Sequence, residues 1–254
     1  MIIAGLWIGK LSKMEIYSMK SFIKQGHTYH LYTYEPLDNI PNGVIVKDAN
    51  EIIPKDEIFT LKNYYLPFSD IFRYKLLYEK GNCWADLDMI CLKPIQLDQK
   101  FIFSSERTIQ KGAYRNRNYK EIANIGFLKA PPKSDFYKEL YEKCMNYHKN
   151  KTNKDKIKYM RIMRTLLDKY DYGKYVLPSN YFCPIDWWNC KEMFMNVEQY
   201  KSKYGCSGYT QTDVLQNCYC VHTWRSIARK KKLDFDADFH SNSLWEKLKL
   251  FIDN

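Results

Sequence analysis

The sequence predicts a single α/β domain with a sheet of nucleotide-binding type, and three observations carry that reading. The chain opens with a strand–helix–strand pattern, the βαβ start of a nucleotide-binding half. Its middle, Pro67 to Leu92 (PFSDIFRYKLLYEKGNCWADLDMICL), is a helical pattern followed by an almost wholly apolar run that holds two aspartates. At 254 residues the chain can bury a good core without being split.

Ile2 to Ile8 is short, apolar and β-branched, which predicts a first buried strand ended by Gly9. Ligands in open α/β sheets bind outside the carboxyl ends of strands, so Trp7, near that edge, is either a platform for a nucleotide base or a core residue. Ser12 to Gln25 follows as an amphipathic helix, with Ile16, Met19, Phe22 and Ile23 at helical spacing and Gly26 as its stop. His30 to Tyr34 alternates as a second strand, and Val44 to Lys47 is a third ahead of Ala49 to Ile53. His27 and His30 are read as surface or half-buried residues.

The helix from Pro67 is started by that proline and stopped at Gly81. Cys83 to Leu92 is then expected to be one buried strand, with Asp86 and Asp88 on one side and Ala85, Leu87 and Met89 on the other. Two neighbouring carboxylates repel each other in such surroundings. They need a cation or several donors, and paired hard oxygens suit Mg²⁺ or Mn²⁺ carrying phosphate groups. Asp70 and Arg73, three apart, share a helical face, and the turn at Gly81 folds that face back beside the Asp86 strand.

Beyond Pro94, Phe101 to Ser104 is another short strand. Lys111 to Lys120, with Arg115 and Arg117, is an exposed basic loop that is either mobile or a cover for an acceptor. Glu121 to Pro132 is a strand in which Asn124 and Gly126 interrupt the apolar character. Ser134 to Asn150 and Asp155 to Tyr170 are structural helices, and Asn150-Lys151-Thr152 matches a glycosylation pattern that stays idle in a cytosolic protein. Trp187 and Trp188 are expected on opposite sides of an extended segment, either packing or offering rings to a sugar. Tyr219 to Ser226 is an extended apolar run whose lone His222 is either a satisfied core residue or a ligand. Leu244 to Ile252 closes the chain as an amphipathic helix that caps the core or, alternatively, meets a membrane surface.

The order Ser69, Asp70, Arg73, Gly81, Trp84, Asp86, Asp88 resembles the signature of glycosyltransferase family 32, retaining sugar transferases related more distantly to the large clostridial glucosylating toxins. An isolated D-x-D means little, whereas seven positions at fixed spacing form a specific composite. The resemblance implies a GT-A fold, a Rossmann-like mixed sheet flanked by helices. It implies a nucleotide-sugar-binding half over 1–92, and an acceptor-side half with a C-terminal metal-site segment over 93–254. It further implies a metal-dependent retaining transfer, UDP-sugars favoured over GDP-sugars, to a glycan, protein or other hydroxyl acceptor. Asp70, Arg73, Asp86 and Asp88 are the implied catalytic residues. Trp7, Asp70, Arg73, Trp84, Asp86, Asn124 and Trp224 would bind the donor, and Asp86, Asp88 and His222 would hold Mn²⁺ or Mg²⁺, with Arg225 and Ser226 as phosphate partners. Phe182 to Ile185 resembles the F-x-P-I segment of the same family.

Forty basic residues against 29 acidic ones, a formal charge of +11, favour anionic partners without choosing among phosphorylated ligands, acidic acceptors, membranes and nucleic acid. A metal-dependent nuclease or nucleotidyltransferase is the first alternative, but no third buried carboxylate stands out for a two-metal site. A basic nucleic-acid- or membrane-binding module is the second, and it leaves the paired aspartates unexplained. No nucleic-acid partner is expected, and peripheral membrane contact and oligomeric state are left open. Eight cysteines without a C-x-x-C pair argue against a zinc ribbon, and Cys183, Cys190 and Cys206 are close enough in sequence for a disulfide only in an oxidising compartment. With no signal peptide or membrane-spanning segment in view, the chain is expected to be cytoplasmic and of a bacterial or viral type, unlike the Golgi-anchored eukaryotic relatives.

Overall fold

In a computed structural model, residues 1–61, 63–109, 119–150, 158–198 and 210–254 are described. Most of the basic run Lys111 to Lys120, the start of the helix expected from Asp155, the Lys151-Thr152 part of the glycosylation pattern and Cys206 lie outside them.

The opening forms as expected. Strand β1 (Ile2–Leu6) leads into helix α1 (Lys13–Lys24), β2 (Thr28–Thr33) and β3 (Val44–Asp48), and the three strands pair in parallel in the order β3-β2-β1. Ser12 caps α1, its backbone N–H donating to Glu15 at 2.7 Å. Helix α2 (Leu66–Lys80) starts on Pro67 and ends at Gly81, whose φ of +65° lies in the left-handed region. There the chain turns into β4 (Asn82–Ala85), which pairs in parallel with β1.

Two long strands complete the sheet. β6 (Ile102–Ile109) and β7 (Tyr119–Ala130) are antiparallel, and β7 lies antiparallel to β4, giving the order β3-β2-β1-β4-β7-β6. Helices α2, α3 (Asp135–Asn150) and α4 (Tyr159–Lys169) cover one face through Phe68, Phe72, Leu77, Tyr137, Leu140 and Met163, packed on Trp84 and Leu128. The other face carries α1, most of the C-terminal part and the last helix, with Phe22, Phe182, Phe194 and Trp245 in one continuous cluster. This is the mixed, helix-flanked sheet that a GT-A fold requires.

One expected element is absent. Cys83 to Leu92 is not a single strand, because the chain leaves the sheet after Ala85 and re-enters strand pairing at β5 (Met89–Cys91). β5 pairs antiparallel with β8 (Cys220–His222) in a separate two-stranded ribbon, with Met89 opposite His222. Asp86, Leu87 and Asp88 form the turn between, closed by Met89 N–H donating to Asp86 C=O at 3.0 Å and tied to the sheet by Asp86 N–H donating to Gly126 C=O at 2.9 Å. The physical reason is the pair of carboxylates. A continuous central strand would bury both against apolar neighbours, and the turn frees them while Ala85, Leu87 and Met89 still enter one apolar cluster.

Two smaller readings change as well. Trp187 and Trp188 stand in a 3₁₀ helix, Trp187–Phe194, rather than an extended segment. His27 is buried, its Nε2 accepting the Ile95 N–H at 3.1 Å. The cysteines among the described residues are free and buried, Cys183 and Cys190 included. The chain forms α5 (Gln211–Asn217) before β8, then α6 (Arg225–Lys230) after it and a closing helix α7 (Leu244–Asp253), which caps the core through Trp245 and Leu248. No helix among the described residues is long and apolar enough to cross a membrane.

Candidate active site

A cavity of about 560 Å³ opens at the carboxyl ends of β1 and β4, where α2, the Asp86–Asp88 turn, β7 and the segment after β8 converge. The helical spacing of Asp70 and Arg73 puts both on the face of α2 that meets β4. Arg73, 1% exposed, is the hub: Nη2 lies 3.1 Å from Asp70 Oδ1, and Nη1 lies 2.8 Å from Asp86 Oδ1 and donates to Ile125 C=O at 2.7 Å. Its guanidinium also lies over the Trp84 ring, 4.9 Å from the centroid, while Trp84 Nε1 donates to Asp86 Oδ1 at 2.9 Å. Trp84 therefore orients Asp86 from beneath. Asp70 Oδ1, although beside Arg73, receives no hydrogen bond. Burial drives the Asp70 carboxyl up to about 7 against the pull of Arg73.

Asp88 is held differently. Its Oδ2 accepts the Arg225 N–H at 2.8 Å, and its Oδ1 lies 3.2 Å from His222 Nε2. Thr223 closes the same corner, donating both its backbone N–H and its hydroxyl to Asp88 C=O at 2.9 and 3.0 Å. Asp86 and Asp88 thus have opposite electrostatics. Burial raises Asp86, with Arg73 opposing and Asp88 adding to the rise. For Asp88 burial acts upward too, but His222 and the Arg225 N–H outweigh it and the carboxyl falls below its ordinary value. His222 is raised well above its own, burial being overcome by Asp88. Without a cation, a charged imidazole beside Asp88 is the arrangement these shifts describe.

Ligand atoms of Asp86, Asp88 and His222 all lie within 4.8 Å of one another. Two carboxylate oxygens and an imidazole nitrogen are a donor set that suits Mn²⁺ or Mg²⁺, and the residues fit the cation the sequence implied. Gly126 faces the ribbon, and a Cβ there would stand 3.4 Å from both His222 and Met89, at the edge of ordinary contact. Trp224, with φ of +56°, is strained for a bulky residue and is fixed by its Nε1 donating to Ile185 C=O at 2.8 Å. Its ring lies against His222, centroids 4.0 Å apart.

Every residue proposed from the sequence borders the cavity: Trp7, Asp70, Arg73, Trp84, Asp86, Asp88, Asn124, His222 and Trp224. Their availability differs. Trp7 is half-buried rather than core, and Arg225 lies over its ring at 4.8 Å while pairing through Nε with the fully buried Glu15. Asn124 is 2% exposed, and its amide is engaged with Ser104, Gly126, Cys183 and Glu106. Sequence reasoning missed Glu106, a cavity-lining carboxylate raised by burial. Period-two continuation of the strand from Ser104 would have found it, because β6 runs to Ile109 and puts both residues on one side. Glu15 and Cys183 were also missed; Glu15 is signalled locally only as the partner of Ser12 in a capping box, and Cys183 carries no local signal.

Residues 12–111 match the glycosyltransferase sugar-binding region containing DXD motif, and residues 133–249 match the alpha 1,4-glycosyltransferase conserved region. No curated protein matches the chain. Among solved structures, PaToxG glycosyltransferase is similar with a TM-score of 0.47 and 13% identity, over 68% of this chain and 70% of that one. The apo form of the glycosyltransferase GlyE from Streptococcus pneumoniae TIGR4 has a TM-score of 0.41 and 16% identity, over 71% of this chain and 45% of that one. A second GlyE structure has a TM-score of 0.39 and 16% identity, over 71% of this chain and 46% of that one, so the match spans less than half of either GlyE chain.

The two matched regions meet on either side of one cavity, and the protein they define is a glycosyltransferase. Each region covers less than half of the chain, and together they make it similar to the DXD-containing sugar transferases, the group to which the family 32 resemblance pointed.

Proposed function

We propose that the chain is a metal-dependent, retaining glycosyltransferase that moves a sugar from a nucleotide-sugar donor, a UDP-sugar in preference to a GDP-sugar, to a hydroxyl of a glycan or protein. The observation that carries this reading is the convergence of Asp86, Asp88 and His222 in one cavity, beside the buried Asp70–Arg73 pair that also holds Asp86. Asp86, Asp88 and His222 would hold Mn²⁺ or Mg²⁺, which when bound supplies charge neutralisation for a diphosphate leaving group. Trp7, at the carboxyl end of β1, offers a ring to the base. Arg73 is committed to Asp70, Asp86 and the Ile125 carbonyl, so its task is to fix the two carboxylates. Asp70 lines the cavity while paired with Arg73, and its carboxyl is the group offered to a hydroxyl of the donor sugar.

Retention is assigned through front-face displacement. The anomeric carbon–phosphate oxygen bond breaks as the bond to the acceptor oxygen forms on the same face, and a phosphate oxygen takes the acceptor's proton. An α-linked product from an α-linked donor is in keeping with the match to the alpha 1,4-glycosyltransferase region. The test is a hydrolysis screen over UDP- and GDP-sugars with Mn²⁺, read by proton NMR of the released sugar. A UDP-sugar hydrolysed first to the α-anomer supports the proposal. Turnover of none of these donors, or initial release of the β-anomer from an α-linked donor, contradicts it.

A further inference from the structure

We propose that Cys183 is the positioning residue that sets the ring tautomer of His222, acting as a hydrogen-bond acceptor oriented by Asn124. The proposal rests on the reading of His222 as a metal ligand and adds the group behind it. Two backbone donors, which cannot reverse, fix the directions in this network. Phe127 N–H donates to Ser104 Oγ at 3.0 Å, so the Ser104 hydroxyl turns its own proton to Asn124 Oδ1. Gly126 N–H donates to the same Oδ1 at 3.3 Å. With its oxygen held by two donors, the Asn124 amide presents its NH₂ the other way, 3.3 Å from Cys183 Sγ and 3.5 Å from Glu106 Oε2.

The sulfur accepts from that amide and, with its own S–H turned away from the ring, accepts again from His222 Nδ1 at 3.8 Å. A ring whose Nδ1 carries a proton donated to that sulfur keeps the Nε2 lone pair on the side of Asp88, where a cation would be held. All four side chains in this relay are buried: Ser104, Asn124, Cys183 and His222. They come from β6, β7, the segment before Ile185 and β8, so no local motif announces the arrangement. Asn124, expected to touch the donor, acquires a second task behind the metal ligand.

The experiment measures Mn²⁺ binding by the fall in free-ion EPR signal, on the full chain without donor, for the parent, Cys183→Ala and Cys183→Ser. Removing the acceptor should weaken Mn²⁺ binding about 10-fold, the lower end of losses seen when an outer partner of a metal-bound histidine is removed. Serine, which keeps an acceptor, should restore most of it. Long-range ¹⁵N–¹H NMR of the Mg²⁺-loaded parent should show His222 protonated at Nδ1, a readout that needs no variant and stands if Cys183→Ala fails to fold. Binding by Cys183→Ala within twofold of the parent, or a proton on Nε2 in the loaded parent, overturns the proposal. A parent that binds no Mn²⁺ overturns the metal reading itself, a result distinct from a loss confined to the variant.

Discussion

Asp88 is the residue on which three others depend: it receives the Arg225 N–H, faces His222 and holds Thr223 through its carbonyl. Asp88→Asn should leave the fold intact and lower turnover by about two orders of magnitude or more, as when a charge stabiliser at a leaving group is lost; near-parental turnover would place the cation elsewhere. The same pair fixes a pH dependence in the metal-free protein. His222 is raised above its ordinary 6.5, so its contribution is complete below that pH and is lost as pH rises through the higher folded value. Asp88 is depressed below 3.8, so its contribution is present above that value and lost as pH falls through the folded one. Melting temperature in chelator should therefore be highest between the two flanks, and His222→Ala should flatten both. An unchanged profile in that variant would remove the ion pair from the account. At Trp7, replacement by Ala should weaken UDP binding by about 1–3 kcal/mol, the range for a base stacked on an aromatic ring. Unchanged UDP affinity measured by calorimetry in a folded variant would leave Trp7 no role with the base.

At the scale of elements, the turn at Gly81 connects the helix of Asp70 and Arg73 to the strand of Trp84. A Cβ there would fall 2.5 Å from the Pro132 nitrogen, in addition to meeting the positive φ. Gly81→Ala should cost about 1–3 kcal/mol by overpacking and backbone strain together, read from urea denaturation; a loss under about 0.5 kcal/mol would mean that the contact with Pro132 relaxes freely. Helix boundaries were legible because their signals are local: Ser12 as cap, Pro67 in the first turn, Gly81 as stop. The strand from Cys83 was not, because apolar periodicity continues through Leu87 even though the chain turns there. What decides the break is the cost of burying two carboxylates in a central strand and the availability of β8 as a partner for Met89–Cys91, a pairing across more than 100 residues that no window of sequence contains. Glu106 was missed through too short a strand, and Cys183 because its meaning lies in what faces it.

For the whole molecule, one cavity is built from both ends of the chain, with Trp7 from the first strand and His222 from the last. The Ser69-to-Asp88 signature made most of that cavity legible, whereas the approach of His222 to Asp88, which the sequence carries only through the family resemblance, comes about through the β5–β8 ribbon. The central claim is that this joint site works through a divalent cation held by Asp86 and Asp88 from the middle of the chain and His222 from its last strand among the described residues. The most direct measurement is UDP-sugar hydrolysis by the full chain after exhaustive chelation and again after Mn²⁺ is restored. The account predicts that turnover disappears with the cation and returns with it in the parent, and that it does not return in His222→Ala at Mn²⁺ levels that saturate the parent. Full turnover in the chelated protein would contradict it.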